Sequence, residues 1–324
     1  MNPMNTHLIN SRAYTSIKPI TEELALNPQK NYLFDLPYLG VLSLEGEKSV
    51  DFLQGQLTAD IQKANDIQMI QAAQCNLKGR ILALLDVVNW NGIKLVLPED
   101  ILEQTQNSLS KTALLSRVSI KEEKQYKLFG FYLQNPQDLI PYSLYLPKET
   151  YAKAESSSFC YYHLGQGFYI FLIDNNQNPE LSSIFAERKQ LLGSLTWHSL
   201  RLKQHELSIY PESRGLFLPH RLDLQQTSYL SFDKGCYKGQ EIIARTHYRA
   251  TLKHQLLTYI ITTEEKLFSG QKLYKSDEAV EVGELVDFSI LGNNQYLIAV
   301  SIVKNAPQEF RFEHSAQIIQ LKSV

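Results

Sequence analysis

The segment Lys234-Gly235-Cys236-Tyr237-Lys238-Gly239-Gln240-Glu241 concentrates groups that can do chemistry. Two glycines flank a thiol, and glycine lets a backbone turn sharply or approach a ligand closely. The following run, Gln240 to Arg245, suits a helix start, with Glu241 favoured at the positive end of the helix dipole. A thiol ahead of a helix N-terminus, with Lys234 and Lys238 beside it, is expected to fall from its ordinary pKa of about 8.5 toward neutrality. The plain alternative is a small buried cysteine between turn glycines. Cys75 and Cys160 lack such neighbours, and Cys160, between Phe159 and Tyr161, reads as core. Cys236 is therefore the candidate reactive thiol, with Lys234 as its companion. His205, His220 and His247 could approach it as bases, although each alone is more often exposed or structural.

Several elements must position this loop. Tyr38–Leu44 reads as a buried strand, and apolar residues at helical spacing predict a helix over about Lys48–Ala64. Strands follow at Ile67–Cys75, Ile81–Trp90 and Ile93–Leu97, the last two joined by Asn91-Gly92, a strong hairpin signal. Pro98-Glu99-Asp100 opens a helix. Arg117–Lys121 and Lys127–Gln134 read as strands, and Ser158–Asp174 holds two more around Gly165-Gln166-Gly167. Helical patterns cover about Pro179–Leu192 and resume near Leu195. From Lys253 onward six short strands and no helix predict a small barrel or sandwich. Residues 1–30 read as a loosely ordered lead-in with one short helix near Glu22–Leu26. The expected organisation is α+β: a lead-in over 1–30, a mixed body over 31–250 and an all-β domain over 251–324.

Composition narrows the class. The chain has 324 residues, 44% hydrophobic, with a formal net charge of -2, which argues against a globally basic nucleic-acid binder. No apolar run is long enough to span a membrane, and Met1–Ile20 lacks the apolar core of a secretory signal. Three widely spaced cysteines, none in CxxC spacing, fit a reducing compartment and offer no metal site. A cytoplasmic monomer is expected.

The loop Lys234–Glu241, followed by Ile243-Ala244-Arg245, resembles the signature of the YgfZ family, folate-binding relatives of the glycine-cleavage T-protein. Gly46 with Phe52-Leu53-Gln54-Gly55-Gln56-Leu57-Thr58-Ala59-Asp60, Asn76-Leu77-Lys78-Gly79-Arg80, Trp197-His198-Ser199-Leu200-Arg201 and Pro219 are similar to further family stretches over about residues 35–250, and Val282-Gly283-Glu284 fits the family's C-terminal barrel. The resemblance implies a T-protein-like body of two lobes and a small C-terminal all-β barrel, arranged as a ring around a folate pocket. It also implies a role in iron–sulfur enzyme function and tRNA modification, notably adenosine methylthiolation, with clients such as a tRNA methylthiotransferase. Tetrahydrofolate or a derivative is the implied cofactor, held by Trp197, Arg201, Lys234, Tyr237, Gly239, Gln240, Glu241 and Arg245, with no metal.

Trp197 is a stacking platform on this reading and a core tryptophan on the plain one. Arg201, one helical turn on, shares its face as a ligand cation or as a solvated arginine. Where a second tryptophan is expected the chain has Tyr38-Leu39, and Gln204-His205 stand where a glycine is usual. The acidic pair of the T-proteins aligns with Ala83 and Leu84, which argues against aminomethyl transfer; Asp86 is nearby but reads as the wrong neighbour to replace it on an alternating strand. A folate-dependent one-carbon transferase is thus the alternative reading. A direct tRNA-binding module is the third: between Asp233 and His254 five Lys/Arg face two acids, with Tyr237 and Tyr248 interleaved, which suits RNA, an anionic glutamate tail or a solvated face.

Overall fold

A computed structural model describes residues 4–175, 180–277, 279–306 and 309–323. The chain opens with a hairpin, β1 (Asn5–Ile9) and β2 (Arg12–Ser16), and a helical turn, α1 (Ile20–Glu23). Strands β3 (Tyr32–Asp35) and β4 (Leu39–Glu45) lead into α2 (Ser49–Gln56). Then come β5 (Ile70–Cys75), β6 (Ile81–Asn89), β7 (Ile93–Pro98) and α3 (Leu102–Ala113). Next are β8 (Ser119–Glu123), β9 (Tyr126–Tyr132), β10 (Lys153–Glu155), β11 (Phe159–His163) and β12 (Phe168–Asp174). Helix α4 (Glu180–Glu187), strand β13 (Leu191–Leu192), and helices α5 (Ser194–Leu202) and α6 (Gln240–Arg249) complete the body. The remainder is strand: β14 (His254–Thr262), β15 (Lys272–Lys275), β16 (Glu281–Gly292), β17 (Gln295–Val303), β18 (Glu309–Phe312), β19 (Ile319–Gln320) and β20 (Lys322–Ser323). The predicted α4 start at Pro179 lies outside the described residues.

Two sheets make the body. One runs β5-β6-β7-β4-β8 and is antiparallel throughout. The other runs β10-β11-β12-β9-β3-β13, with only the β13–β3 pair parallel. Period-two alternation gives each sheet two apolar faces. On the outer face of the first, Leu42, Leu95 and Leu85 pack against Phe52 and Leu53 of α2 and Leu102 and Leu109 of α3. Its inner face, with Val41, Val88 and Val96, meets Phe34, Leu128, Ile170 and Leu172 of the second sheet. The outer face of the second sheet is covered by Leu181 and Phe185 of α4. Asn91 and Gly92 both take positive φ, as the β6–β7 hairpin requires.

The C-terminal strands form a curled antiparallel sheet, ordered β19-β18-β15-β16-β17-β14-β20, a half-barrel whose last stretch of chain touches both edges. The α+β class is as expected. Two local expectations are corrected. The helix over Lys48–Ala64 stops at Gln56, because Leu57 is extended and Thr58 is drawn into the body. Thr58 N–H donates to Ala73 O (3.1 Å), and its hydroxyl donates to Tyr229 O (2.6 Å). Residues 5–16, expected to be loosely ordered, form a hairpin, and the short helix lies at Ile20–Glu23.

The hairpin is ordered by Arg12. Its guanidinium is buried and donates twice to Asp100 (3.0 and 2.7 Å) and once to Ile209 O (2.7 Å). It also lies 4.3 Å from the Tyr210 ring centroid. A buried cation so bonded fixes its segment, since removing one partner strands the other. Arg12→Met is expected to cost about 3 kcal/mol or more in urea denaturation. Lys121→Ala, which breaks the exposed pair with Glu45, should leave the urea midpoint essentially unchanged. Equal effects would remove the hairpin from the stabilising framework.

Candidate functional site

Helix α5 is positioned from its N-terminus. The Glu23 carboxylate accepts from Gly193 N–H (3.2 Å) and from the Thr196 hydroxyl (2.6 Å). Negative charge is favoured at this end of a helix. The helix then presents Trp197 and Arg201, one turn apart, to a cavity between the two sheets. Trp197 is only 3% exposed and packs against Phe34 and Phe168, with ring centroids 5.3 and 5.4 Å away. Gly130 of β9 makes room for it: a Cβ there would lie 2.5 Å from the indole. Trp197 is therefore both core and cavity wall. Tyr38 lines the same cavity, in the position of the expected second aromatic. His205 holds the left-handed conformation (φ 63°) in the turn where a glycine was expected, so the turn persists without one.

The cavity measures about 110 Å³. That is below the roughly 300–1,000 Å³ that encloses a drug-sized ligand. It is therefore small for a whole drug-sized ligand. Its polar lining was only partly anticipated. Ala83 and Leu84 fall on opposite faces of β6, Ala83 toward the helices and Leu84 into the cavity. Asp86 lies two residues beyond Leu84, so it shares that face and lines the cavity. Gln71 stands opposite it across the β5–β6 ladder. Asp86 accepts from the Tyr162 hydroxyl (2.8 Å). Burial pushes its carboxyl up to about 7, opposed by Tyr162 and Gln71, and Glu206 adds to the rise. Arg201 bonds Gln204 Oε1 (3.0 Å), faces Glu206 (3.4 Å) and covers the Phe168 ring, so it is neither solvated nor free for a distant anion. Gln71, Glu206 and Tyr229 were missed by sequence reasoning, and Asp86 was noticed but set aside as the wrong neighbour. The i, i+2 alternation from Leu84 was the available signal for Asp86.

The cysteine loop lies elsewhere. Lys234 Nζ donates to the carbonyls of Gln54, Leu57 and Ala59 at 2.7–2.8 Å, satisfying the C-terminal end of α2. Burial pushes Lys234 down to about 8, opposed by the charge of Asp60. Tyr237 is buried below it, and Lys238 N–H donates to Gly55 O (3.0 Å). Gln240 caps the turn, its Oε1 accepting from Tyr237 N–H (3.2 Å). Gly239 begins α6 with φ 86°, and a Cβ there would lie 2.5 Å from Asn76 O. Cys236 is exposed and unbonded, while Cys75 and Cys160 are buried and pushed up to about 12. The Lys234 ammonium is thus committed to α2 and holds the loop; it does not pair with the thiol.

Lys234, Tyr237, Gly239, Gln240, Glu241 and Arg245 do not line the cavity of Trp197 and Arg201. The anticipated residues fall into two places, a cavity and a surface thiol. Of the histidines, His205 is exposed against Thr258, and His247 stacks on Phe232 at 3.8 Å. His220 is buried and pushed down to about 4. Among the described residues no cluster of three or more His, Cys, Asp or Glu could hold a metal ion, and no helix is long and apolar enough to cross a membrane.

No family model matches the chain. It is 28% identical to the tRNA-modifying protein YgfZ of Klebsiella pneumoniae (strain 342) over 275 residues, 83% of this chain and 84% of that protein. It is 28% identical to the protein of the same name from Yersinia enterocolitica over 228 residues, 69% of each. The one from Colwellia psychrerythraea is 25% identical over 78% of this chain and 76% of its own. The resemblance first carried by the cysteine loop therefore extends over most of the chain. The crystal structure of the glycine cleavage system aminomethyltransferase T from Bartonella henselae has a TM-score of 0.71 over 99% of this chain and 92% of that one, at 14% identity, a likeness of fold.

Lys234→Met should lower stability by roughly 1–3 kcal/mol, because three carbonyls lose their donor. An unchanged urea midpoint would deny Lys234 its capping role. Gly239→Ala should cost at least about 1 kcal/mol from the left-handed backbone alone, and should speed proteolysis near Lys238.

Proposed function

We propose that the protein is a tetrahydrofolate-binding accessory protein that supports iron–sulfur enzymes and tRNA modification, acting as a cytoplasmic monomer through the surface thiol of Cys236. The observation that carries this reading is the pairing of a Trp197-walled polar cavity with a separately held, exposed cysteine loop. The names of the YgfZ relatives favour the tRNA connection, and the T-protein fold favours folate. Adenosine methylthiolation and a tRNA methylthiotransferase client rest on the family resemblance.

The cavity residues fit a pterin-sized ring. Trp197 and Tyr38 offer aromatic surface, and Asp86, Gln71 and Glu206 offer polar partners for ring nitrogens and amino groups. Arg201 holds Glu206 in place, and the glutamate tail projects outside. A bound folate would supply a one-carbon carrier. This chain's own residues bind its ring, orient it and exclude water around it. Leu84 in the cavity and Ala83 behind it leave no acid at the transferase positions, which disfavours aminomethyl transfer.

Tetrahydrofolate should quench tryptophan emission, and Trp197→Phe should remove most of the change. Trp90 is buried and bonded to Ser156 O at 2.9 Å, so it serves as an internal reference. Absence of binding at millimolar ligand would end the folate reading. Cys236→Ala should abolish cellular activity and leave the melting temperature within a degree or so, because the thiol is exposed and unbonded.

Direct tRNA contact is the second reading, and α6 favours it. Tyr248 is 69% exposed beside the Phe232–His247 stack, and Arg245 and Arg249 follow on the same helix without ion pairs among the described residues. Tyr237 is buried and takes no part. Salt-dependent tRNA binding that weakens in Arg245→Glu/Arg249→Glu would support it; equal binding by that variant would count against it.

A further inference from the structure

We infer that Asp86 is the proton-exchanging group of the central cavity, a carboxyl that gives up its proton when an N–H-bearing ring edge fills the space beside it. The inference deepens the folate reading and rests on it for the ligand used. Its geometric basis is independent of that reading. Asp86 projects from the inner face of β6 into the cavity, the face it shares with Leu84. Its Oδ2 already accepts the Tyr162 hydroxyl at 2.8 Å. Gln71, its cross-strand partner, is fixed for donation: Gln71 Oε1 accepts from the hydroxyls of Tyr151 (2.9 Å) and Ser228 (3.3 Å), which orients the amide nitrogen inward, toward Asp86 and the Tyr229 hydroxyl (3.1 Å).

A carboxyl that receives two donors needs little more to become an anion. Burial is what keeps the proton on it. The charged and titratable groups around it come from every packed element. Glu206 follows α5 and opposes ionisation; Arg201 on α5 favours it. Tyr162 on β11, and Tyr151 and Tyr229 from the flanking segments, are all raised above their ordinary range and stay neutral. Tyr38 and His198 complete the titratable lining, and Asp86 is the carboxyl there that burial raises to about 7. A ring edge that donates N–H toward the cavity acts as a third donor. The proton leaves Asp86 for solvent, and one charge-assisted hydrogen bond replaces a neutral one. An edge that only accepts would leave the proton in place. The site thus selects ring systems with an amidine- or amide-like N–H edge.

The sign follows. The free carboxyl lies at about 7, and binding lowers it. Affinity should rise with pH up to that value and then level off, by up to about tenfold per pH unit on the acid side. The experiment is calorimetric titration of the full chain with tetrahydrofolate from pH 5.5 to 8.5, in buffers of different ionisation enthalpy. Close to one proton should be released per ligand at the acid end and none at the alkaline end. Asp86→Asn should bind with no such dependence, while Glu206→Gln should keep proton release but move its midpoint to lower pH, because Glu206 opposes ionisation of Asp86. In parallel, carbon-13 NMR of side-chain carboxyls in the ligand-free protein should show one resonance titrating near neutrality that Asp86→Asn removes. Retention of proton release in Asp86→Asn, or a ligand-free Asp86 resonance already ionised at pH 5.5, would overturn the inference. Failure of tetrahydrofolate to bind the wild type would count against the folate reading alone, and the carbon-13 titration would still decide the protonation of Asp86.

Discussion

Three carbonyl groups at the end of α2 need a donor, and the Lys234 ammonium supplies it from across the chain. The helix stops at Gln56, which leaves the carbonyls of Gln54, Leu57 and Ala59 without backbone partners. Satisfying them ties the segment before α6 to the first sheet. Once Lys234 is placed, Tyr237 turns inward, Gly239 sits on the Asn76 carbonyl, and Cys236 is left outside. The exposure of the thiol is thus a consequence of the cap. Lysine is suited to this task because one compact ammonium carries three donors.

Much of the framework was legible in local patterns. The Asn91-Gly92 hairpin, the alternation of β4 to β7 and the all-β tail follow from periodicity and turn chemistry that act over a few residues. What was not legible depends on contacts distant in sequence. The α2 helix looked longer because its apolar spacing continues, but Thr58 gains two bonds to Ala73 and Tyr229 by leaving it. The first hairpin looked unstructured because its anchor, Arg12, bonds to Asp100 and Ile209. A charged residue that is buried and paired gives no apolar signal.

The site shows the same division. The cysteine loop stood out because its residues are contiguous, and Trp197 and Arg201 stood out because a helix brings i and i+4 together. Asp86 and Gln71 belong to one site only through the register of β5 on β6. A register shift between Gln74 and Cys75 sets that pairing, and counting back from the turn without it would have put Gln71 opposite Leu85. The lysines beside Cys236 suggested an activated thiol, yet adjacency in sequence says nothing of direction: Lys234 points its charge at α2.

The separation of cavity and thiol constrains any account of how they work together. Cys236 does not line the cavity, so its sulfur cannot attack a ligand seated against Trp197 without rearrangement. A contiguous polar path nevertheless joins them. Gln71 in the cavity bonds the Tyr229 hydroxyl, the Tyr229 carbonyl accepts from Thr58, and the residues on either side of Thr58 carry two of the carbonyls that hold Lys234. Contiguity is a route for coupling, and coupling requires an element with two arrangements that both sites bias. The Leu57–Ala59 segment is bonded on one side to the cavity wall through Tyr229 and on the other to the cysteine loop through Lys234.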